Sequence, residues 1–169
     1  MFVGYDKENT PRYASLRGIS GDFKGEVAGS NKRFSFSIPG KGQVLHVFES
    51  AIDLLSFATL EGIRNQEVYI GSLLSLSGIY VPRNSLTDTR LPPALSQYLS
   101  DNSSIRTICL HLDNDSAGRQ ASKAIISTLL KYFEVRDEPP KSGKDYNLYL
   151  CGWLNSREVR LISVYRECR

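Results

Sequence analysis

The sequence predicts an α/β fold: a mostly parallel four-stranded sheet flanked by helices, with a β-rich N-terminal extension. Three observations lead there. Four short apolar runs, Val44–Glu49, Val68–Leu73, Ile105–Leu112 and Phe133–Asp137, alternate with segments of helical periodicity, which is the pattern of βαβ units. The residues before Gln43 differ, holding short alternating runs separated by glycines. The 169 residues, 41% hydrophobic and 23% charged, suffice for one domain with a core of its own.

Taken in order, the leader contributes RYASLRG (Arg12–Gly18) and RFSFSIPG (Arg33–Gly40), both readable as half-exposed strands. It carries seven Lys and Arg against four Asp and Glu, so it holds the whole net charge of +3. Such a leader is either a solvated antiparallel sheet or a surface facing nucleic acid. The buried strand Val44–Glu49 feeds the helix Ala51–Ile63, and Val68–Leu73 is the second strand. Pro82, Pro92 and Pro93 punctuate a loop-rich stretch before a short helix, Ala94–Ser100. The third strand, Ile105–Leu112, runs into DNDSAGRQASKAIISTLLKYF, whose later part is an amphipathic helix. Phe133–Asp137 and a last helix, Asp145–Leu154, complete the set. The expected division is a β-rich module over 1–42, an α/β domain over 43–154 and a C-terminal extension over 155–169.

Several function classes are excluded at this point. Cys109, Cys151 and Cys168 are too far apart for a zinc module and too few for a disulfide framework, and fit reduced thiols in the cytoplasm. His46 and His111 read as core histidines. The opening MFVGYDKENTP lacks the basic and apolar regions of a signal peptide, and no apolar stretch approaches the ~20 residues that span a bilayer.

The chemistry gathers at strand ends, where open parallel sheets bind ligands. Glu49 ends the first strand, and Asp113 and Asp115 follow the third. A helix cap explains one of those aspartates and not both. Aspartates at i and i+2 in a turn can offer hard oxygens to one Mg²⁺ (or Mn²⁺), which completes its shell with water and phosphate. A neighbouring Glu makes the pocket suited to phosphoryl transfer. A calcium loop fails because Ala117 and Ala124 stand where Asp/Asn and Glu belong, and Ser142–Lys144 fails as a phosphate loop because Asp145 replaces Ser or Thr.

FESAIDLLS (Phe48–Ser56) followed by LHLDNDSAGRQAS (Leu110–Ser122) resembles the Toprim domain of bacterial primases, topoisomerases and OLD-type nucleases. The matching positions are Glu49, Asp53, Asp113, Asp115, Ala117, Gly118 and Arg119, and GKDYN (Gly143–Asn147) is similar to the segment after strand four in primase-type members. The resemblance covers roughly Gln43–Leu150, and the leader resembles a small β-rich module that precedes Toprim in plasmid and conjugative-element proteins. The chain departs from the family at Ser50, where a Gly is usual; a positive φ there would strain a serine.

The resemblance implies a Mg²⁺-dependent (or Mn²⁺-dependent), primase-like nucleotidyltransferase domain acting on DNA or RNA. Glu49 would be general acid/base and metal ligand, Asp113 and Asp115 metal ligands, and Asp53 a further metal or supporting group. Arg119, Lys141 and Lys144 would neutralise phosphates, with Lys144 also catalytic. Nucleotides, and other domains or proteins of a replication or mobilisation system, are the implied partners, with no membrane. An OLD-like nuclease and a non-catalytic metal- and nucleic-acid-binding module are the alternatives. The nine tyrosines are scattered, and none stands out as a topoisomerase nucleophile.

Overall fold

The computed structural model describes residues 1–79 and 91–167. The leader folds as an antiparallel sheet of β1 (Phe2–Tyr5), β2 (Pro11–Arg17) and β3 (Lys24–Glu26), in that order. Asp6 ties the first turn by accepting from the Thr10 N–H and the Arg12 Nε–H, both at 2.8 Å. The sheet docks closely on the Phe34–Ser35 backbone: a Cβ on Gly4 would lie 1.8 Å from the Phe34 carbonyl oxygen, so no other residue fits.

The expected strand Arg33–Gly40 is only partly formed. Asn31 accepts from the Arg33 N–H and caps a 3₁₀ turn over Lys32–Phe34, a local bond that competes with strand pairing. Only Ser37–Ile38, β4, is extended, and it leaves the leader sheet to pair antiparallel with the main one.

The main sheet is built from β5 (Val44–Phe48), α1 (Ala51–Asn65), β6 (Ser72–Ser75), α2 (Pro93–Asp101), β7 (Thr107–His111), α3 (Ser116–Leu129), β8 (Glu134–Asp137) and α4 (Tyr146–Glu167). Its order is β4-β6-β5-β7-β8, with four parallel strands as expected and β4 added as a fifth, antiparallel edge. α2 begins on Pro92 and Pro93, where a missing N–H costs nothing. The turn expected at Pro82 lies outside the described residues. The last helix runs past Leu154 to Glu167.

The second strand is displaced from its expected place. Val68–Leu73 gives way to Ser72–Ser75, and Val68 and Ile70 are left 86% and 69% exposed. β-propensity favours VYI, but pairing decides: Leu45 to Phe48 align with Ser72 to Ser75, which fills the slot between β4 and β5 with buried side chains. The serines are tolerated because their polar atoms find partners, as when Ser75 Oγ accepts from the Ser77 N–H at 3.2 Å.

Two cores follow from the alternation along β5. Leu45 and Val47 join Leu74, Ile108, Leu110, Leu95 and Ile125 beneath α2 and α3. On the other face Phe48 packs with Leu73, Leu54, Phe57 and Tyr146 beneath α1 and α4. The histidines belong to that second face. His111 Nδ1 lies 2.9 Å from the Glu138 carbonyl, which can only accept, so Nδ1 carries the proton and Nε2 accepts from His46 Nδ1 at 2.8 Å. Burial holds both rings neutral, His46 down to about 4 and His111 to about 3. His111 is a satisfied core histidine, and His46 is half-buried beside it. No helix among the described residues is long and apolar enough to cross a membrane.

The displaced strand is testable by denaturant unfolding. Leu74→Ala is expected to cost about 2–5 kcal/mol, whereas Val68→Ala should change stability by less than about 0.5 kcal/mol.

Candidate functional site

The strand order reverses at β5. From there the chain passes through α1 to β6 on one side, and β7 passes through α3 to β8 on the other. The carboxyl ends of β5 and β7 therefore flank the crevice in which doubly wound sheets bind ligands. Phe48 and His111 are paired across these strands, so the residues just beyond them, Glu49 and the Leu112–Asp115 turn, meet at its mouth.

Each wall of the crevice is set by a helix cap. Ser50 caps α1, accepting from the Asp53 N–H at 3.3 Å while its hydroxyl donates to the Asp53 carboxylate at 2.5 Å. Its φ of −128° is ordinary extended backbone, so serine replaces the usual glycine without strain. Asp53, 7% exposed, also accepts from the Asn147 N–H at 3.2 Å, and burial pushes its pKa up. Across the crevice Asp115 caps α3 through the Gly118 N–H at 2.9 Å, which lowers its pKa. Asp113, 8% exposed, caps nothing, and burial raises its pKa. A Cβ on Gly118 would meet the Asp113 carbonyl oxygen at 2.0 Å, which explains the glycine in this motif.

Lys144 joins the two aspartates, its Nζ 3.2 Å from each carboxylate. Its backbone is fixed to the same turn, since the Asn114 N–H donates to the Lys144 carbonyl at 2.6 Å. Asp145 caps α4 through the Leu148 N–H at 2.7 Å, and its charge adds to the upward pressure on Asp53 and Asp113. Glu49 bears the sum of this crowding. Burial first, then repulsion from Asp113, Asp115 and Asp53, pushes it up to about 7, against the pull of Lys144. A carboxyl poised there can take or give a proton at neutral pH.

The structure thus brings together Glu49, Asp53, Asp113, Asp115 and Lys144. Arg119 is engaged elsewhere: its Nη1 lies 2.8 Å from both oxygens of Asp137, with Nη2 and Nε on the carbonyls of Leu112 and Asp113. Lys141 is exposed in the loop after β8. Among the described residues no three His, Cys, Asp or Glu side chains converge as a ready metal site, and the Lys144 ammonium stands between the two aspartates. The donor set itself, all hard carboxylate oxygens under mutual repulsion, fits a divalent cation.

Two concave features lie outside this cluster. A crevice of about 420 Å³ separates the leader sheet from the body, lined by Tyr13, Arg17, Lys24, Gly25, Glu26, Lys32 and Ser77. Ser77 on its wall precedes Gly78, whose N–H donates to the Glu49 carbonyl at 2.9 Å. A groove of about 560 Å³ lies toward the opposite strand ends, around Val44, His46, Tyr69 and Arg136. Sequence reasoning missed Asp137 as the partner of Arg119 and Ser77 as a neighbour of the leader. Asp137 had a signal, an acidic residue closing strand four, but Ser77 had none.

The raised Glu49 pKa has a measurable consequence. Between about 4.5 and about 7 the folded protein holds a proton that the unfolded chain releases, so this group lowers stability as pH rises through that window. Glu49→Gln should melt a few degrees above wild type at pH 8, with the difference closing by about pH 4, in thermal unfolding scans without divalent metal.

Comparisons with known proteins agree with this geometry. A family model described as Toprim-like matches residues 46–150. The 65 kDa protein of Zymomonas mobilis subsp. mobilis is 32% identical over 160 residues, covering 86% of this chain and 25% of that protein. The chain therefore spans about a quarter of the length of this curated relative. Among solved structures, the primase fragment of the bacteriophage T7 primase-helicase protein superposes with a TM-score of 0.54 at 18% identity, over 95% of this chain and 59% of that one. A chain of the bacteriophage T7 lagging-strand DNA polymerase–primase complex, which contains an RNA/DNA hybrid and dTTP, gives a TM-score of 0.55 at 18% identity, over 96% of this chain and 74% of that one. These structural likenesses establish a shared fold, and the family match takes in the whole carboxylate cluster with Lys144: the chain belongs to the Toprim-like family.

Proposed function

We propose that this chain is a Mg²⁺-dependent (or Mn²⁺-dependent) phosphoryl-transfer domain acting on nucleic acid, the primase-like Toprim module of a mobile-element DNA-processing protein. The observation that carries the reading is the placement of Glu49, Asp113 and Asp115 at adjacent parallel strand ends, where burial, with repulsion from the two aspartates added, pushes Glu49 up to about 7. Asp113 and Asp115, with Glu49, would hold the ion, and Asp53 would support Glu49 from the start of α1. The ion would supply neutralisation of phosphate charge and activation of an attacking oxygen. Glu49 carries the proton that such a transfer moves. Lys144 is shared between Asp113 and Asp115; a cation binding to those carboxylates competes for them and frees its ammonium for a substrate phosphate. Lys141, exposed nearby, adds to the same field.

The crevice beneath the leader supports a nucleic-acid partner. Arg17, Lys24 and Lys32 outnumber Glu26 there, a charge balance suited to a phosphate backbone. The fold neighbours come from a replication system with nucleotides, an RNA/DNA hybrid and a polymerase, which supports nucleotides, DNA or RNA and other replication domains as partners. On this reading the chain divides into a β-rich module (1–42), a Toprim domain (43–154) and a C-terminal extension (155–169). A cytoplasmic location fits the free thiols of Cys109 and Cys151.

The test is an assay of the purified chain with Mg²⁺ or Mn²⁺, a single-stranded DNA template and nucleoside triphosphates, run beside a supercoiled-plasmid nicking assay. Metal-dependent incorporation supports the reading; nicking alone assigns an OLD-like nuclease; DNA binding without either assigns a non-catalytic module. Asp113→Asn and Asp115→Asn should each lower the metal-dependent activity by about a hundredfold or more with little change in melting temperature. Lys144→Gln should tighten Mn²⁺ binding measured by calorimetry without nucleic acid, because it removes the competing cation.

A further inference from the structure

The turn from β7 into α3 has nearly every polar group committed. The Asn114 N–H donates to the Lys144 carbonyl, the Asp115 side chain accepts from Gly118, and the Asp115 carbonyl accepts from the Arg119 N–H at 3.0 Å. The carbonyls of Leu112 and Asp113 both meet one side chain. Arg119 Nη2 donates to the first at 2.9 Å and Nε to the second at 3.2 Å. The other edge of the guanidinium meets Asp137 in a two-oxygen pair at 2.8 Å each. Asp137 is held in turn by β8, whose register sets it opposite Leu110 while the Glu138 N–H donates to the Leu110 carbonyl at 2.8 Å.

We infer that Arg119 is a positioning residue: it clamps the main chain of Leu112 and Asp113 to β8 and so fixes how Asp113 and Asp115 are presented, rather than binding substrate phosphate itself. The inference rests on the metal-dependent reading above. Charge balance argues for it, because the paired Asp137 carboxylate cancels most of the field that a phosphate would feel. Geometry argues for it as well. Only a planar fork can address a carboxylate and two successive carbonyls together, which an ammonium on a flexible stem cannot do. Close packing leaves little alternative, since Gly118 already lies against the Asp113 carbonyl with no room for a Cβ. The clamp thus joins the end of β7, the first turn of α3 and the end of β8 into one rigid mount.

The experiment compares wild type, Arg119→Lys, Arg119→Gln and Asp137→Asn. Mn²⁺ binding is measured by calorimetry without nucleic acid, and single-stranded oligonucleotide binding without metal across a salt series, after each melting temperature confirms folding. Arg119→Lys and Asp137→Asn should each weaken Mn²⁺ binding by about tenfold or more, and neither Arg119→Lys nor Arg119→Gln should reduce oligonucleotide affinity or its salt slope. The double variant should be no worse than either single one, because the pair acts as a unit. Unchanged Mn²⁺ affinity in both variants would overturn the assignment. So would a salt slope reduced by about one in Arg119→Gln with no effect in Asp137→Asn, the mark of a direct phosphate contact. If Asp137→Asn alone folds, its Mn²⁺ affinity decides. Wild-type protein that binds no Mn²⁺ would overturn the metal-dependent reading itself, and this role with it.

Discussion

The shared ion pair of Lys144 with Asp113 and Asp115, 3.2 Å on each side, is the interaction on which the site depends. Five carboxylates, from Glu49, Asp53, Asp113, Asp115 and Asp145, act on one another beyond the carboxyl ends of the central strands, and two of them are almost fully buried. Buried like charges this close oppose folding unless protons, donors or cations offset them. The chain uses all three. Glu49 retains its proton toward neutrality, Asp53 and Asp115 accept hydrogen bonds from caps and backbone, and Lys144 pairs with Asp113 and Asp115. An arrangement that needs this much local compensation is poised to accept a stronger cation.

The apolar scaffold beneath makes such crowding tolerable. Both faces of β5 and β7 are packed, so the strand ends cannot relax apart to relieve the repulsion. Tyr146 extends that rigidity to the last helix: its hydroxyl donates to the Glu138 carbonyl at 3.1 Å and lies 2.9 Å from His111. The residue before it is Asp145 and the one before that Lys144. The aromatic layer therefore places the loop whose ammonium sits between the aspartates, and a core contact becomes a functional one.

The α/β class, the four parallel strands and the strand-end carboxylates were legible because each rests on local pattern. Apolar runs of the right length alternate with helical periodicity, and Glu49, Asp113 and Asp115 fall directly after such runs. What was not legible depends on partners distant in sequence. Val68–Ile70 has strand propensity, but the slot beside β5 is filled by Ser72–Ser75, a choice made by register. RFSFSIPG alternates like a strand, yet the Asn31 cap turns its first residues into a 3₁₀ turn and sends the rest to the main sheet. Ser50 departs from the family glycine, and only its extended φ reveals that serine caps the helix instead of straining the turn.

Arg119 and Lys144 illustrate why residue type and motif position leave roles undecided. Both are cations beside the same aspartates, and both suit phosphate by sequence alone. Their partners separate them. Arg119 meets a carboxylate on β8 in a two-oxygen pair and two backbone carbonyls, so its charge is neutralised and its geometry fixed. Lys144 is 53% exposed at its side chain and pairs only with carboxylates that a divalent ion would also claim. A cation whose partners can be taken by another cation is exchangeable, and one held by backbone carbonyls is not. On the proposed reading the exchangeable charge is the one suited to meet substrate, and the fixed charge holds Asp113 and Asp115 in place.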